Sequence, residues 1–244
     1  MQILESSELG LRSARVTLRS PLSPVEVTLF PMVHLGKPDF YREVYADALS
    51  HDLVLVEGVN SPASRRITRS YRWIEGSKRI GLSVQYRPRE VKNSRAKIVH
   101  ADLSGEEFEI SWRKVPFRIR MLVYVLAPVF AVHFRWFMSR ESLAKKLSMD
   151  DLPSRQEILS WNPETAFIDD SLLNDRDRRL VERLSDVLDN HGDVRRLAIV
   201  YGAAHMRAVL RELSRRRFYA DSSRWLTIFP FEVRAPGQSA AAPT

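Results

Sequence analysis

The sequence predicts an α/β fold, a mixed and mainly parallel sheet flanked by helices, with a helical insertion or cap. Three observations predict it. Short apolar runs such as "DLVLVEGV" and "RRLAIVYG" have the composition of strands buried on both faces of a parallel sheet. Stretches with a 3.6-residue apolar period separate these runs. One arrangement also occurs twice: "VTLFPMVHLGKPDFYREVYADAL" before "DLVLVE", and "LAIVYGAAHMRAVLREL" before "WLTIFP". Each reads as strand, short turn, histidine, amphipathic helix, strand, the alternation from which α/β domains are built.

The elements follow in chain order. "RVTLRS" and "VEVTLFPM" alternate apolar and polar residues, and the segment from Pro21 to Pro24 between them reads as a turn. Pro38 suits the first turn of a helix whose apolar stripe is Phe40, Val44 and Ala48 beside Tyr41, Tyr45 and Leu49. "DLVLVEGV" is the next strand, an arginine-rich helical segment runs from Ser64 to about Trp73, and "KIVHADLS" is a further strand. From Glu106 to about Lys146 the pattern is helical, so residues 105–165 are expected to form the insertion, with residues 152–168 readable either way. A long helix from Asp170 to Asn190 carries Leu173, Leu180, Leu184 and Val187 on one face. "RRLAIVYG", "AAHMRAVLRELSRR" and "WLTIFPFEV" then read as strand, helix and last strand. The expected organisation is one domain over residues 1–232 and a disordered tail over 233–244, where "APGQSAAAPT" cannot build a core.

Composition narrows the function. With 244 residues, 44% of them hydrophobic, the chain can bury a sizeable single core. There is no cysteine, which excludes disulfides, thiolate metal sites and cysteine nucleophiles. The start "MQILESSELGLRSARV" has no basic segment leading into an apolar stretch, so cytoplasmic residence is expected, peripheral at the inner membrane face. A net charge of +8 favours anionic partners, yet no zinc-finger, RGG or RNP-type motif points to nucleic acid. No "GxSxG" occurs, which argues against a serine hydrolase.

Histidine and carboxylate placement carries the chemistry. His34 and His205 each follow an apolar strand at or near a helix start, and Glu57 ends "LVLVE". In a parallel sheet these positions share the carboxyl edge, where α/β ligand sites form. Two imidazoles and a carboxylate are a common ligand set for a catalytic divalent metal, although a histidine after a strand also serves as a capping residue. His100 and Asp102 approach the same edge, and Asp102 is a further candidate ligand or substrate-binding group. At least one of Arg176 and Asp177 intrudes on the apolar face of the long helix, where a charge needs a partner or a cavity. Arg176 either pairs within the helix layer or binds a substrate carboxylate or oxyanion. His51 reads as a surface residue, and His191 suits a helix end.

The "GAAH" element (Gly202 to His205), the first strand-histidine element, "VLVEG" and "LLNDRDRRLVERL" occur in an order that resembles the TraB/GumN superfamily, with its pheromone-shutdown and Tiki-like metalloprotease members. The superfamily is distantly similar to haem-binding ChaN-like proteins and erythromycin esterases. The resemblance covers about residues 25–232. It implies a divalent metal (manganese, cobalt or zinc) at His34, His205 and Glu57. Gly202 stands as the motif glycine, and the family's Glu-Arg-Asp helix motif falls on Asp175, Arg176 and Asp177. Pro31 stands where the first Gly-x-x-His motif has glycine, and Asp175 where the helix motif has glutamate.

One stretch points elsewhere. "MLVYVLAPVFAV", residues 121–132, is apolar but short for a bilayer span, and Pro128 is expected to kink it. It reads as a buried helix or homodimer interface, or, with the basic flanks within residues 113–146, as a segment lying on an anionic membrane surface. Three functional classes follow: a metal-dependent hydrolase of a peptide or related amide or ester bond, a non-catalytic binder of haem or a peptide signal, and a basic membrane-surface adaptor.

Overall fold

A computed structural model of the chain describes residues 1–75, 77, 80–86, 94–152 and 173–231. The expected start of the long helix at 170–172, the ambiguous segment 153–168 and the tail from 233 lie outside the described residues. In chain order the elements are β1 (Gln2–Ser7), β2 (Gly10–Ser20), β3 (Ser23–Met32), β4 (Leu35–Gly36), α1 (Pro38–Ala48), β5 (Leu53–Val56), α2 (Pro62–Thr68), α3 (Tyr71–Ile74), β6 (Ser83–Val84) and β7 (Lys97–His100). They continue with α4 (Gly105–Lys114), α5 (Phe117–Phe137), α6 (Arg140–Leu147), β8 (Met149–Asp150), α7 (Asp175–Asn190), β9 (Arg196–Gly202), a 3-10 turn (Ala203–His205), α8 (Met206–Arg215) and β10 (Tyr219–Pro230).

The fold is α/β, with an eight-stranded mixed sheet among the described residues. Its parallel half runs β7-β5-β9-β3, and β1, β2, β8 and β10 form an antiparallel half. The parallel strands are the apolar runs: all four residues of β5 are buried, as are Leu197 to Tyr201 of β9, so neither face can meet water. β2 is long enough to pair with β10 along one edge and with β1 and then β3 along the other. The β2–β3 turn falls at the proline-flanked segment.

Three departures from the sequence reading have physical causes. β10 runs antiparallel to β2, so the second strand-helix-strand echo does not close as a parallel unit. The exposed edge of β2 takes it, after α8 carries the chain past β3. His51 is buried rather than exposed: one ring nitrogen meets Thr28 Oγ1 at 2.9 Å and the other the Asp47 carbonyl oxygen at 3.1 Å. Satisfying both nitrogens is what makes a buried imidazole tolerable. Of the readings of 121–132, the buried helix is the one that fails: the run lies within the single helix α5 and is largely exposed.

The insertion is helical through Leu147, as α4, α5 and α6. α4 is started by a capping box: Ser104 Oγ accepts from the Glu107 N–H at 3.1 Å, and the Glu107 carboxylate accepts from the Ser104 N–H at 2.8 Å. Phe108, Trp112 and Val115 form a small second core with Ala63 and Leu103, separate from the main core around the sheet.

Candidate functional site

The parallel half of the sheet assembles the site. β7, β5, β9 and β3 lie side by side and end at His100, Val56, Gly202 and Met32. The residues that follow are Asp102, Glu57, His205 and His34, so one sheet edge delivers four candidate groups from four distant stretches of chain. From β5 the chain goes on to β7, whereas from β9 it returns to the far side of β2. Loops leaving neighbouring strands in opposite directions open a crevice at the strand ends. Into that edge α7 brings Arg176 and Asp177 from its first turn.

A buried ion network results. Arg176 donates from Nε to Asp102 Oδ1 at 2.9 Å, and from Nη2 to Asp102 Oδ2 at 2.7 Å and Glu57 Oε1 at 2.5 Å. Side-chain exposure is 15% for Arg176, 11% for Glu57 and 0% for Asp102, so the charges face one another rather than water. Backbone amides complete both carboxylates: Gly202 N–H reaches Glu57 Oε2 at 2.7 Å, while Gly58 and Leu103 N–H donate to Asp102 at 3.0 and 2.9 Å. Gly202 has a negative φ in an extended conformation open to any residue, so its missing side chain matters for space instead. A Cβ there would stand 3.1 Å from Glu57 Oε2, against the hydrogen bond it guards.

His205 is 3% exposed, and its Nδ1 meets Asp177 Oδ1 at 2.6 Å. That contact orients the ring and leaves Nε2 as its remaining nitrogen. Tyr201, missed by sequence reasoning, fills the space between: its ring is edge-on to His205 at 4.9 Å and lies under the Arg176 guanidinium at 5.7 Å. The signal was its place beside Gly202 at the end of an otherwise aliphatic strand.

Electrostatics follows the geometry. Burial pushes the Glu57 carboxyl up, but Arg176, His205 and His34 together overcome this and hold it below the usual range. Burial likewise opposes ionisation of Asp102, and the Arg176 hydrogen bonds outweigh it, so its pKa is also lowered. Burial would ease proton loss from Arg176; its two carboxylate partners reverse that and raise it. The Tyr201 hydroxyl is pushed up, chiefly by burial.

The structure thus joins Glu57, Asp102, Arg176, Tyr201 and Gly202 directly, with His205 and Asp177 alongside. His34 is exposed at the rim, its carbonyl accepting from Gln85 N–H at 2.9 Å, and it acts electrostatically on Glu57. Asp175 points away: it accepts from Ser111 Oγ at 2.6 Å and pairs with Arg178 at 3.4 Å. The Arg176 pair ties α7 to the loops after β5 and β7, so it is not an ion pair confined to the helix layer. Among the described residues, no three His, Asp or Glu side chains stand close enough together to hold a metal as they are. Beside the network a cleft of about 620 Å³ is lined by Gly58, Asn60, Asp102, Leu103, Arg179 and Arg183, among others.

What these features define is a class: an α/β domain with a buried carboxylate–guanidinium–imidazole cluster at the carboxyl edge of its parallel strands. Compared with protein-family models, curated proteins and solved structures, the chain has no match.

Proposed function

We propose that the chain is a metal-dependent hydrolase of the TraB/Tiki type, cleaving a peptide or related amide or ester bond at the Glu57–His205 cluster. The observation that carries the reading is the Asp177–His205 pair at 2.6 Å beside an ionised, buried Glu57. A carboxylate on the far nitrogen of an imidazole is the support that metal-ligating histidines regularly have. The donor chemistry fits a divalent ion. Glu57, Asp102 and Asp177 bring three carboxylates to the cluster beside Arg176 and His205, oxygen and nitrogen donors of the kind a divalent ion takes. Glu57 Oε1 accepts from Arg176 and Oε2 from the Gly202 N–H, which fixes the carboxylate's orientation at the strand edge. His34, His205 and Glu57 would hold the ion, and manganese, cobalt or zinc would lower the pKa of water and polarise a carbonyl.

The chain's own groups have separable tasks. Glu57, held ionised, is the group suited to take a proton from water. Asp177 positions His205, and Asp102 positions Arg176, whose charge keeps Glu57 ionised. The adjoining cleft, lined by Gly58 and Asp102, gives a substrate chain room next to the cluster.

Elemental analysis of purified protein supplied with manganese, cobalt or zinc tests the reading, together with His205→Ala and Glu57→Gln and circular dichroism as the folding control. Stoichiometric metal in the wild type, lost in His205→Ala with the fold intact, is expected. A wild type that takes up none of the three metals removes the hydrolase reading and leaves a non-catalytic binder of haem or a peptide signal, which a Soret band on haem titration would reveal.

A further inference from the structure

α5 is a 21-residue helix of about 30 Å, long and apolar enough to cross a bilayer by length and composition, yet only 6% of its most apolar stretch is buried. It is therefore not the core helix of the domain. Its inner face is used: Ile119, Val123 and Tyr124 pack on the small core with Ala63 and Leu103, while Ala131 and Phe134 reach the main core. The opposite face is apolar and open to solvent, with Val125 56%, Val129 58% and Phe130 56% exposed, and Trp136 and Phe137 at its carboxyl end 64% and 71% exposed. A contiguous face of this kind on a soluble domain marks a partner.

Charge identifies the partner. Residues 113–146 contain eight Arg or Lys and one acidic residue, Glu141, a net +7 against +8 for the whole chain. The basic groups bracket the apolar face: Arg113, Lys114 and Arg118 before it, and Arg135, Lys145 and Lys146 after it, are all exposed. Arg140 is excluded from this role, since it is buried and donates to the Ile80 and Pro230 carbonyls at 2.6 and 3.2 Å. An apolar centre with cationic ends and a terminal tryptophan matches the cross-section of an anionic bilayer surface, apolar below and phosphate above.

The geometry points to α5 as a monotopic membrane anchor, lying in the plane of an anionic bilayer with its outer face inserted and the domain resting on the headgroups. In-plane rather than spanning follows from the packing. α4 and α6, at its two ends, both bury side chains in the same domain (Trp112; Leu143 and Ala144), and α5 is held against it along its length. A span would pull these ends to opposite sides of the membrane. The small core under α5 also contains Leu103, next to Asp102, and Val59, two residues beyond Glu57, so the anchor is packed on the loops that carry the candidate site. This inference does not rest on the hydrolase reading.

Full-length protein is floated with vesicles of phosphatidylcholine alone and of phosphatidylcholine containing phosphatidylglycerol. Binding to the anionic vesicles, a blue shift of tryptophan emission that Trp136→Phe reduces, and release by alkaline carbonate are expected. Lys145→Gln with Lys146→Gln should lower partitioning by roughly thirty-fold, since each basic group near the surface adds about 1 kcal/mol. Val125→Glu with Val129→Glu, both on the open face, should abolish it with the circular dichroism unchanged. Wild type that stays in the aqueous fraction overturns the proposal. So does a dimer that the glutamate pair converts to monomer without any vesicle binding, which makes the face a contact with a second copy. Resistance to carbonate overturns the in-plane placement in favour of a span.

Discussion

Replacing Arg176 by methionine tests the network that organises the site. Methionine matches much of the side-chain length but removes three hydrogen bonds and the one cation between Glu57 and Asp102. Both carboxylates are nearly inaccessible to solvent, so water cannot take over, and stranding a buried partner costs about 3–5 kcal/mol. For a domain of this size each kcal/mol moves Tm by about 2–4 °C, so the fall at about pH 7 should be roughly 6–20 °C. The pH dependence gives the sharper test. In the wild type both carboxyls are depressed, so their contribution is present above the ordinary carboxylate pKa and is lost as pH falls through the folded values. Without Arg176, burial is left to dominate and raises both; the variant then gains protons, and relief, as pH falls toward about 4.5. The two proteins should converge in Tm on acidification, measured by scanning calorimetry. A deficit of the same size at both pH values, or one below about 1 kcal/mol, would refute the picture of Arg176 as the counter-charge.

Other outcomes follow from single contacts. On the proposed metal-dependent function, Asp177→Asn should retain the fold and lower metal affinity by about ten- to a hundred-fold, read by metal titration, because the His205 ring loses its orienting carboxylate. Gly202→Ala should cost about 1–3 kcal/mol in urea unfolding, since its Cβ crowds Glu57 Oε2. Ser104→Ala should cost about 1 kcal/mol by opening the capping box of α4. His51 has a pKa lowered first by burial, so the unfolded chain binds the proton more readily and stability should fall as pH drops below the ordinary histidine value. His51→Gln should flatten that part of the Tm-versus-pH curve.

The sequence by itself determined the α/β class, the parallel strands and the helical insertion, because local signals carry them. All-apolar runs such as Leu53–Val56 can only be buried strands or helix fragments, and Pro38 with the Phe40–Val44–Ala48 stripe writes a helix start and face. It also determined that His34, Glu57, Asp102 and His205 fall at strand ends, since that depends only on where each run stops. Which groups touch was decided by tertiary structure. The Arg176 bridge spans 74 and 119 residues of chain, and no local pattern encodes a partner at that distance. Strand order set it, placing β9 between β3 and β5 so that Gly202 N–H meets Glu57. Packing also reversed the expected setting of His51, and of the alternatives for residues 121–132 it removed the buried helix. An imidazole near a strand start reads as polar until Thr28 supplies its partner, and an apolar run reads as core until the core is seen to be filled by other residues. Burial is a property of what surrounds a residue, and only the folded chain supplies the surroundings.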